Sequence, residues 1–183
     1  MIKMKVLLIP LSNFEKSIID ELITHLSSYG FEVDILLERK FLPISAFNWD
    51  RLQFDAEKIL KFFRNIYDFN YNSIIFIADI DGYVDNYNFI FGLSIERYAI
   101  VFTTRLREEF YNRKPNLLIF SERIIKEVTH ELGHTLGLRH CNNNSCVMKF
   151  SNNIDEVDKK GKYFCEKCRY KINEKISKYL QQK

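Results

Sequence analysis

Residues 130–141 read His130-Glu131-Leu132-Gly133-His134-Thr135-Leu136-Gly137-Leu138-Arg139-His140-Cys141. Ile124, Val128, Leu132 and Leu136 recur at one-turn spacing through and before this stretch, which predicts a helix from about Ser121 to Leu138. His130 and His134 are four apart, so they lie one turn above each other on one face, where two imidazoles can reach a single cation. Glu131 emerges from the neighbouring flank, close enough to address a water on that cation. A third ligand cannot come from the same straight helix. Gly137, by accepting positive φ, permits the reversal that returns His140 to the first two histidines, and the Asn142–Asn144 run reinforces the stop.

Three neutral imidazoles leave a fourth position open for water, as catalytic zinc sites require. Zinc lowers the pKa of such a water and polarises a carbonyl. Glu131 would take the water's proton and later pass it to a leaving amine. The residues therefore read as a zinc-dependent peptidase that hydrolyses peptide bonds through a metal-bound water, with Glu131 as general base. A lone histidine carries no such message, and His25 reads as a satisfied, solvent-facing residue. The pattern His-Glu-x-x-His-x-x-Gly-x-x-His is that of the metzincin peptidases, which place a methionine turn beneath the metal. Met148 is the candidate for that turn. It reads equally as ordinary packing, and it adds no chemistry.

All four cysteines, Cys141, Cys146, Cys165 and Cys168, fall in the last quarter of the chain. Four thiolates fill one closed tetrahedral site, as three histidines fill one open site, so two zinc ions per chain are expected, one structural and one catalytic. Adjacent in sequence, His140 and Cys141 would then serve neighbouring ions, the cysteine site fixing the backbone from which the third histidine projects. Two alternatives stay open. Cys141 could bind the catalytic metal and His140 the structural one, which the histidine spacing argues against. The cysteines could instead form disulfides or remain free, which a reducing compartment disfavours.

The chain has 183 residues, 46% hydrophobic and 28% charged, enough for one buried core. A formal charge of +3 does not by itself imply a nucleic-acid or membrane partner. The apolar run at Val6 to Leu11 is short and broken by Pro10, so it reads as a first strand rather than a leader, and a cytoplasmic location is expected. No apolar run is long enough to span a bilayer.

The first two-thirds alternates strand and helix signals, the mark of an α/β layer. Met4 to Pro10 and Phe31 to Leu37 read as strands. Ser12 with Glu15 reads as a capping box for a helix through Ile18, Ile19, Leu22, Leu26 and Tyr29, stopped at Gly30. Asp55 to Tyr67 reads as a second helix, with Ile59, Leu60, Phe63 and Ile66 inward. Ile74 to Ile80 reads as a central strand, and Asn88 to Leu93 and Tyr98 to Thr103 as two more. Residues 38–54 carry no clear assignment. A last helix follows Cys168. A single domain over residues 1–183 is expected: a sheet-and-helix part, 1–137, ends in the active-site helix, and 138–183 forms the zinc-binding C-terminal part.

The run from His130 to Cys168 resembles the archaemetzincins, whose pattern continues past the third histidine with a cysteine, a second cysteine two residues before a methionine, and a distal Cys-x-x-Cys. Here these are His130, Glu131, His134, Gly137, His140, Cys141, Cys146, Met148, Cys165 and Cys168. Upstream, Tyr87 to Gly92 resembles the family's strand before the active-site helix, and Asp79 to Tyr83 its preceding turn. The resemblance implies a compact metzincin-like domain with a mixed, mostly parallel twisted sheet. It also implies an antiparallel edge strand, Asn88 to Leu93, along which an extended peptide or protein substrate could add. The residues that bind substrate, the oligomeric state and the natural substrate are not legible.

Two rival functions share these residues. One is a catalytically silent, zinc-stabilised binding module. Lys159, Lys160, Lys162, Lys167, Arg169, Lys171, Lys175 and Lys178 surround the distal cysteines, but scattered lysines mark a solvated face more often than nucleic-acid binding. The other is a zinc hydrolase acting on a non-peptide amide or ester. Glu131 discriminates against the first, since a binding module has no use for a carboxylate beside an open metal position.

Overall fold

A computed structural model describes residues 3–37 and 41–181. Strand β1 (Lys5–Pro10) leads into helix α1 (Lys16–Ser27) and strand β2 (Glu32–Ile35). Two short strands, β3 (Phe47–Asn48) and β4 (Gln53–Asp55), precede α2 (Ala56–Ile66). Then come β5 (Ser73–Ala78), β6 (Gly82–Tyr83), β7 (Gly92–Ile95) and β8 (Tyr98–Phe102). Helices α3 (Leu117–Thr135), α4 (Ile154–Lys159) and α5 (Glu166–Gln181) complete the chain.

The main sheet has the order β2-β1-β5-β8-β7. Its first four strands are parallel, and β7 pairs antiparallel with β8 at the edge. This is the mixed, mostly parallel sheet expected. β5, with the sequence Ser-Ile-Ile-Phe-Ile-Ala, is buried at every position because it lies mid-sheet under helices on both faces. Ile75 and Ile77 point to the face covered by Ile18, Leu22 and Leu26 of α1 and Ile124, Val128 and Leu132 of α3. Ile74, Phe76 and Ala78 point to the other, against Ile59, Leu60 and Phe63 of α2. Phe63 stacks on Phe76 with centroids 4.5 Å apart. Each such side chain contributes about 1.5–3 kcal/mol on burial, so the period-two alternation of β5 holds both helix layers.

Several local expectations change. Ser12 does not cap α1: its hydroxyl accepts the Asp79 N–H at 2.9 Å, joining the end of β1 to the end of β5, and Glu15 is the N-cap without a side-chain bond. Asp55 does cap α2, accepting the Lys58 N–H at 3.1 Å. Ile66, expected inward, is 46% exposed because α2 ends there. The edge strand is displaced toward Gly92–Ile95, and Ile90 makes only an isolated bridge with Gly82. In the unassigned 38–54 span, residues 38–40 lie outside the described residues, and the rest supplies β3 and β4, which join β6 in a small second sheet. α5 begins at Glu166, so Cys168 lies inside it rather than before it. α4 was not expected from so polar a loop; Asn153 caps it by accepting the Glu156 N–H. No described helix is long and apolar enough to cross a membrane.

One buried cation holds α3 in place. The Arg123 guanidinium, on a residue 1% exposed, forks onto both carboxylate oxygens of Asp158 at 2.7 and 2.6 Å. Its third nitrogen meets the Leu106 carbonyl at 2.9 Å and Glu108 at 2.7 Å. α3, the turn before it and α4 are thereby clamped together. Arg123→Met leaves Glu108 with its longer contact to Arg113 at 3.5 Å and Asp158 at a half-exposed position, so urea denaturation should show a loss of about 1–3 kcal/mol, the scale for losing charged hydrogen bonds.

Candidate active site

α3 carries the motif, and its end is pinned to the sheet. Thr135 donates to the Leu132 carbonyl at 2.8 Å and accepts the Ser73 hydroxyl at 2.7 Å, at the start of β5. The helix then closes in a Schellman motif: the Leu138 N–H reaches the Gly133 carbonyl at 2.9 Å and the Gly137 N–H the His134 carbonyl at 2.8 Å. Gly137 sits at φ +86, the left-handed value this closure needs. Gly133 is required for a different reason. A Cβ there would lie inside the contact shell of the Met148 sulfur, so the fully buried Met148 packs directly beneath the helix.

Ligand atoms of His130, His134 and His140 all lie within 4.8 Å of one another. The Nδ1 of His130 is 2.8 Å from the Val147 carbonyl, and that of His134 is 2.8 Å from the Leu138 carbonyl. A carbonyl only accepts, so both Nδ1 atoms carry the proton and both Nε2 atoms present lone pairs. Those two Nε2 atoms are 3.1 Å apart. Lone pairs at that separation repel unless a cation lies between them, so the donor set fits a metal such as zinc. Burial holds the pKa of His130 well below the usual imidazole value, and it lowers those of His134 and His140 as well. These shifts favour the neutral form, the one that ligates.

Glu131 is 4% exposed and faces β7. A Cβ on Gly92 would approach its carboxylate to 2.6 Å, so the glycine of β7 makes room for it. Burial, and next the neighbouring Glu127, push the Glu131 pKa up to about 8, against the pull of Lys160 and the Ser94 hydroxyl. A dication at the histidines would oppose the first two effects. The Glu131 Oε2 is buried without a hydrogen-bond partner among the described residues.

The sulfurs of Cys141, Cys146, Cys165 and Cys168 form a second group within 4.8 Å of one another. Cys141 and Cys165 are 3.8 Å apart, too far for a disulfide, and the Cys165 N–H points at the Cys146 sulfur at 3.3 Å. His140 groups with the histidines and Cys141 with the cysteines. Three consecutive residues join the clusters: Cys146 contributes its sulfur, Val147 holds the His130 ring, and the Met148 carbonyl accepts the Cys141 N–H at 2.9 Å.

A cleft of about 560 Å³ lies over the histidines, walled by β7 with the segment before it and by Phe150, Ser151 and Asn152. Two of its lining residues, Glu127 and Lys160, were missed by the motif reading. Glu127, one turn before Glu131 on α3, had a signal in its spacing. Lys160 had none, since it looked like one of the solvated lysines; it is instead 2% exposed and paired with Glu127 at 2.8 Å. His25, expected to face solvent, is 8% exposed between Tyr29 and Tyr163, and its Nε2 has no partner among the described residues.

Comparison with known proteins adds independent findings. The family model described as "Peptidase family M54" matches residues 1–174. A Saccharolobus solfataricus protein described as "Archaemetzincin" is 65% identical over 184 residues, covering all of both chains. The crystal structure of archaemetzincin from Methanopyrus kandleri superposes with a TM-score of 0.84 at 32% identity, covering 96% of each chain. A structure described as a zinc-dependent peptidase from Methanocorpusculum labreanum gives 0.83 at 30% identity, covering 92% of this chain and 100% of that one.

The Schellman closure is testable by itself. Gly137→Ala forces a Cβ into the left-handed region, which should cost about 1–2 kcal/mol in urea denaturation and weaken zinc affinity measured by chelator competition.

Proposed function

The chain belongs to peptidase family M54, the archaemetzincins, and is a zinc metallopeptidase; from that premise we propose that Glu131 is the general base of peptide hydrolysis at a zinc held by His130, His134 and His140. The observation that carries this reading is the pair of facing Nε2 lone pairs, 3.1 Å apart, with both rings fixed by backbone carbonyls. When bound, the zinc supplies Lewis acidity, polarising the scissile carbonyl and making water acidic near neutral pH.

The chain's own groups do the rest. Glu131 accepts a proton from the attacking water and delivers it to the leaving amine. Its Oε2, buried and without a protein partner among the described residues, is the atom free for that transfer. Gly92 and the Ser94 hydroxyl hold the carboxylate against β7. β7 is the last strand of the sheet, and Gly92, Leu93 and Ser94 line the cleft, so an extended substrate adds along its free edge. Ions are proposed at two sites per chain, the second held by Cys141, Cys146, Cys165 and Cys168, which supports the loop behind the histidines. Gly137 and Met148 are supporting residues, not ligands.

A silent binding module would leave the burial of Glu131 beside the histidines without a purpose. Glu131→Ala should keep the fold and about two zinc ions per chain by elemental analysis. Its peptide hydrolysis should fall by about 10²–10⁴. Unchanged hydrolysis in the variant would refute the assignment of the base.

A further inference from the structure

On the Glu131 side of the histidines, the cleft contains a buried ion pair that hydrolysis does not use. Glu127 Oε1 and Lys160 Nζ are 2.8 Å apart, with side chains 4% and 1% exposed. Both residues line the cleft. The pairing is ionic rather than well directed, since that Oε1 has no hydrogen-bond donor of good geometry among the described residues. An ammonium has three donors. The hydrogen bond made by Lys160 is a long one, 3.4 Å to the Lys149 carbonyl. The Ser151 hydroxyl, in the same cleft, is also buried without a partner among the described residues. This part of the cleft therefore offers donors and acceptors that no described residue fully satisfies.

Its place relative to the substrate follows from the role proposed for Glu131, and the inference rests on that reading. Glu131 hands its proton to the leaving amine, so the residue that follows the scissile bond lies on the Glu131 side. Glu127 is one turn before Glu131 on α3, about 6 Å away along the axis, which is within reach of a medium-length side chain of that residue.

We propose that Glu127 and Lys160 form the floor of the pocket for the residue following the scissile bond, and that they select a neutral hydrogen-bonding side chain, an amide above all. A glutamine or asparagine amide donates to Glu127 through its nitrogen and accepts from Lys160 through its oxygen. A cationic side chain would face Lys160, and an anionic one would face Glu127 and Glu131. An aliphatic side chain would displace water from the pair and leave its donors unspent, the situation in which polar sites discriminate most strongly.

The test uses the zinc-loaded protein and a set of hydroxamates bearing one side chain on the leaving-group side: glutamine, leucine, glutamate or lysine, with the unsubstituted parent as reference. Binding is measured by calorimetry, so no turnover is needed. The glutamine compound should bind about tenfold or more tighter than the other three. The double variant Glu127→Leu/Lys160→Met, which removes both charges together and strands neither, should prefer leucine. A leucine preference in the wild type, or a glutamine preference that survives in the double variant, overturns the proposal. Should the double variant fail to fold by circular dichroism, the wild-type ranking decides alone. A parent compound that does not bind overturns the metal-site reading and this inference with it; a parent that binds, followed by no discrimination among side chains, overturns this inference only.

Discussion

The chain reversal after α3 is the constraint on which the site depends. At Gly137 the backbone takes φ +86, the helix closes on Gly133 and His134, and three residues later His140 stands against the two helix histidines. The next residue, Cys141, belongs to a separate cluster. One peptide unit thus separates two groups of atoms that could each hold a metal ion, and neither can shift without moving the other. The Cys146–Met148 segment closes the loop from behind through a sulfur, a carbonyl on His130 and a side chain under Gly133.

The rest of the fold gives this reversal a rigid base. β5 is buried on both faces and receives the end of α3 through Ser73 and Thr135, while Arg123 clamps its other half to Glu108 and Asp158. The electrostatics follow the same economy. Glu127 and Glu131 are two buried carboxylates one turn apart on α3, an arrangement that is unfavourable alone. Lys160 faces the first, and a cation held by the histidines would answer the second. The lysine contributed by the loop after α4 is therefore part of what makes the motif tolerable in a buried cleft, as well as a wall of that cleft.

Much of this was legible in the sequence, for identifiable reasons. The active-site helix and β5 were visible because periods of 3.6 and of unbroken apolarity are local properties of the chain. Both clusters of candidate ligands were visible because metal ligation restricts residue type and spacing together, and the fold brings each cluster together. What escaped depends on tertiary partners. Ser12 carries the signature of a cap, yet its hydroxyl serves Asp79 from a distant strand. Lys160 matches the composition of a solvated lysine, and only the packing of α4 against α3 buries it. The edge strand, expected over Asn88 to Leu93, pairs with β8 only from Gly92 onward, and there the missing side chain of Gly92 admits Glu131.

In the function proposed above, the cysteine cluster holds the backbone that presents His140. The most direct test is metal affinity at the histidine site in Cys165→Ser, a substitution that touches none of the three histidines. Cobalt(II) serves as the probe, because absorption from thiolate and imidazole coordination can be followed separately. Binding at the imidazole site should weaken once the cysteine cluster is broken, with the sheet still folded by circular dichroism. Unchanged affinity at the histidine site in a variant that has lost its thiolate signal would contradict it.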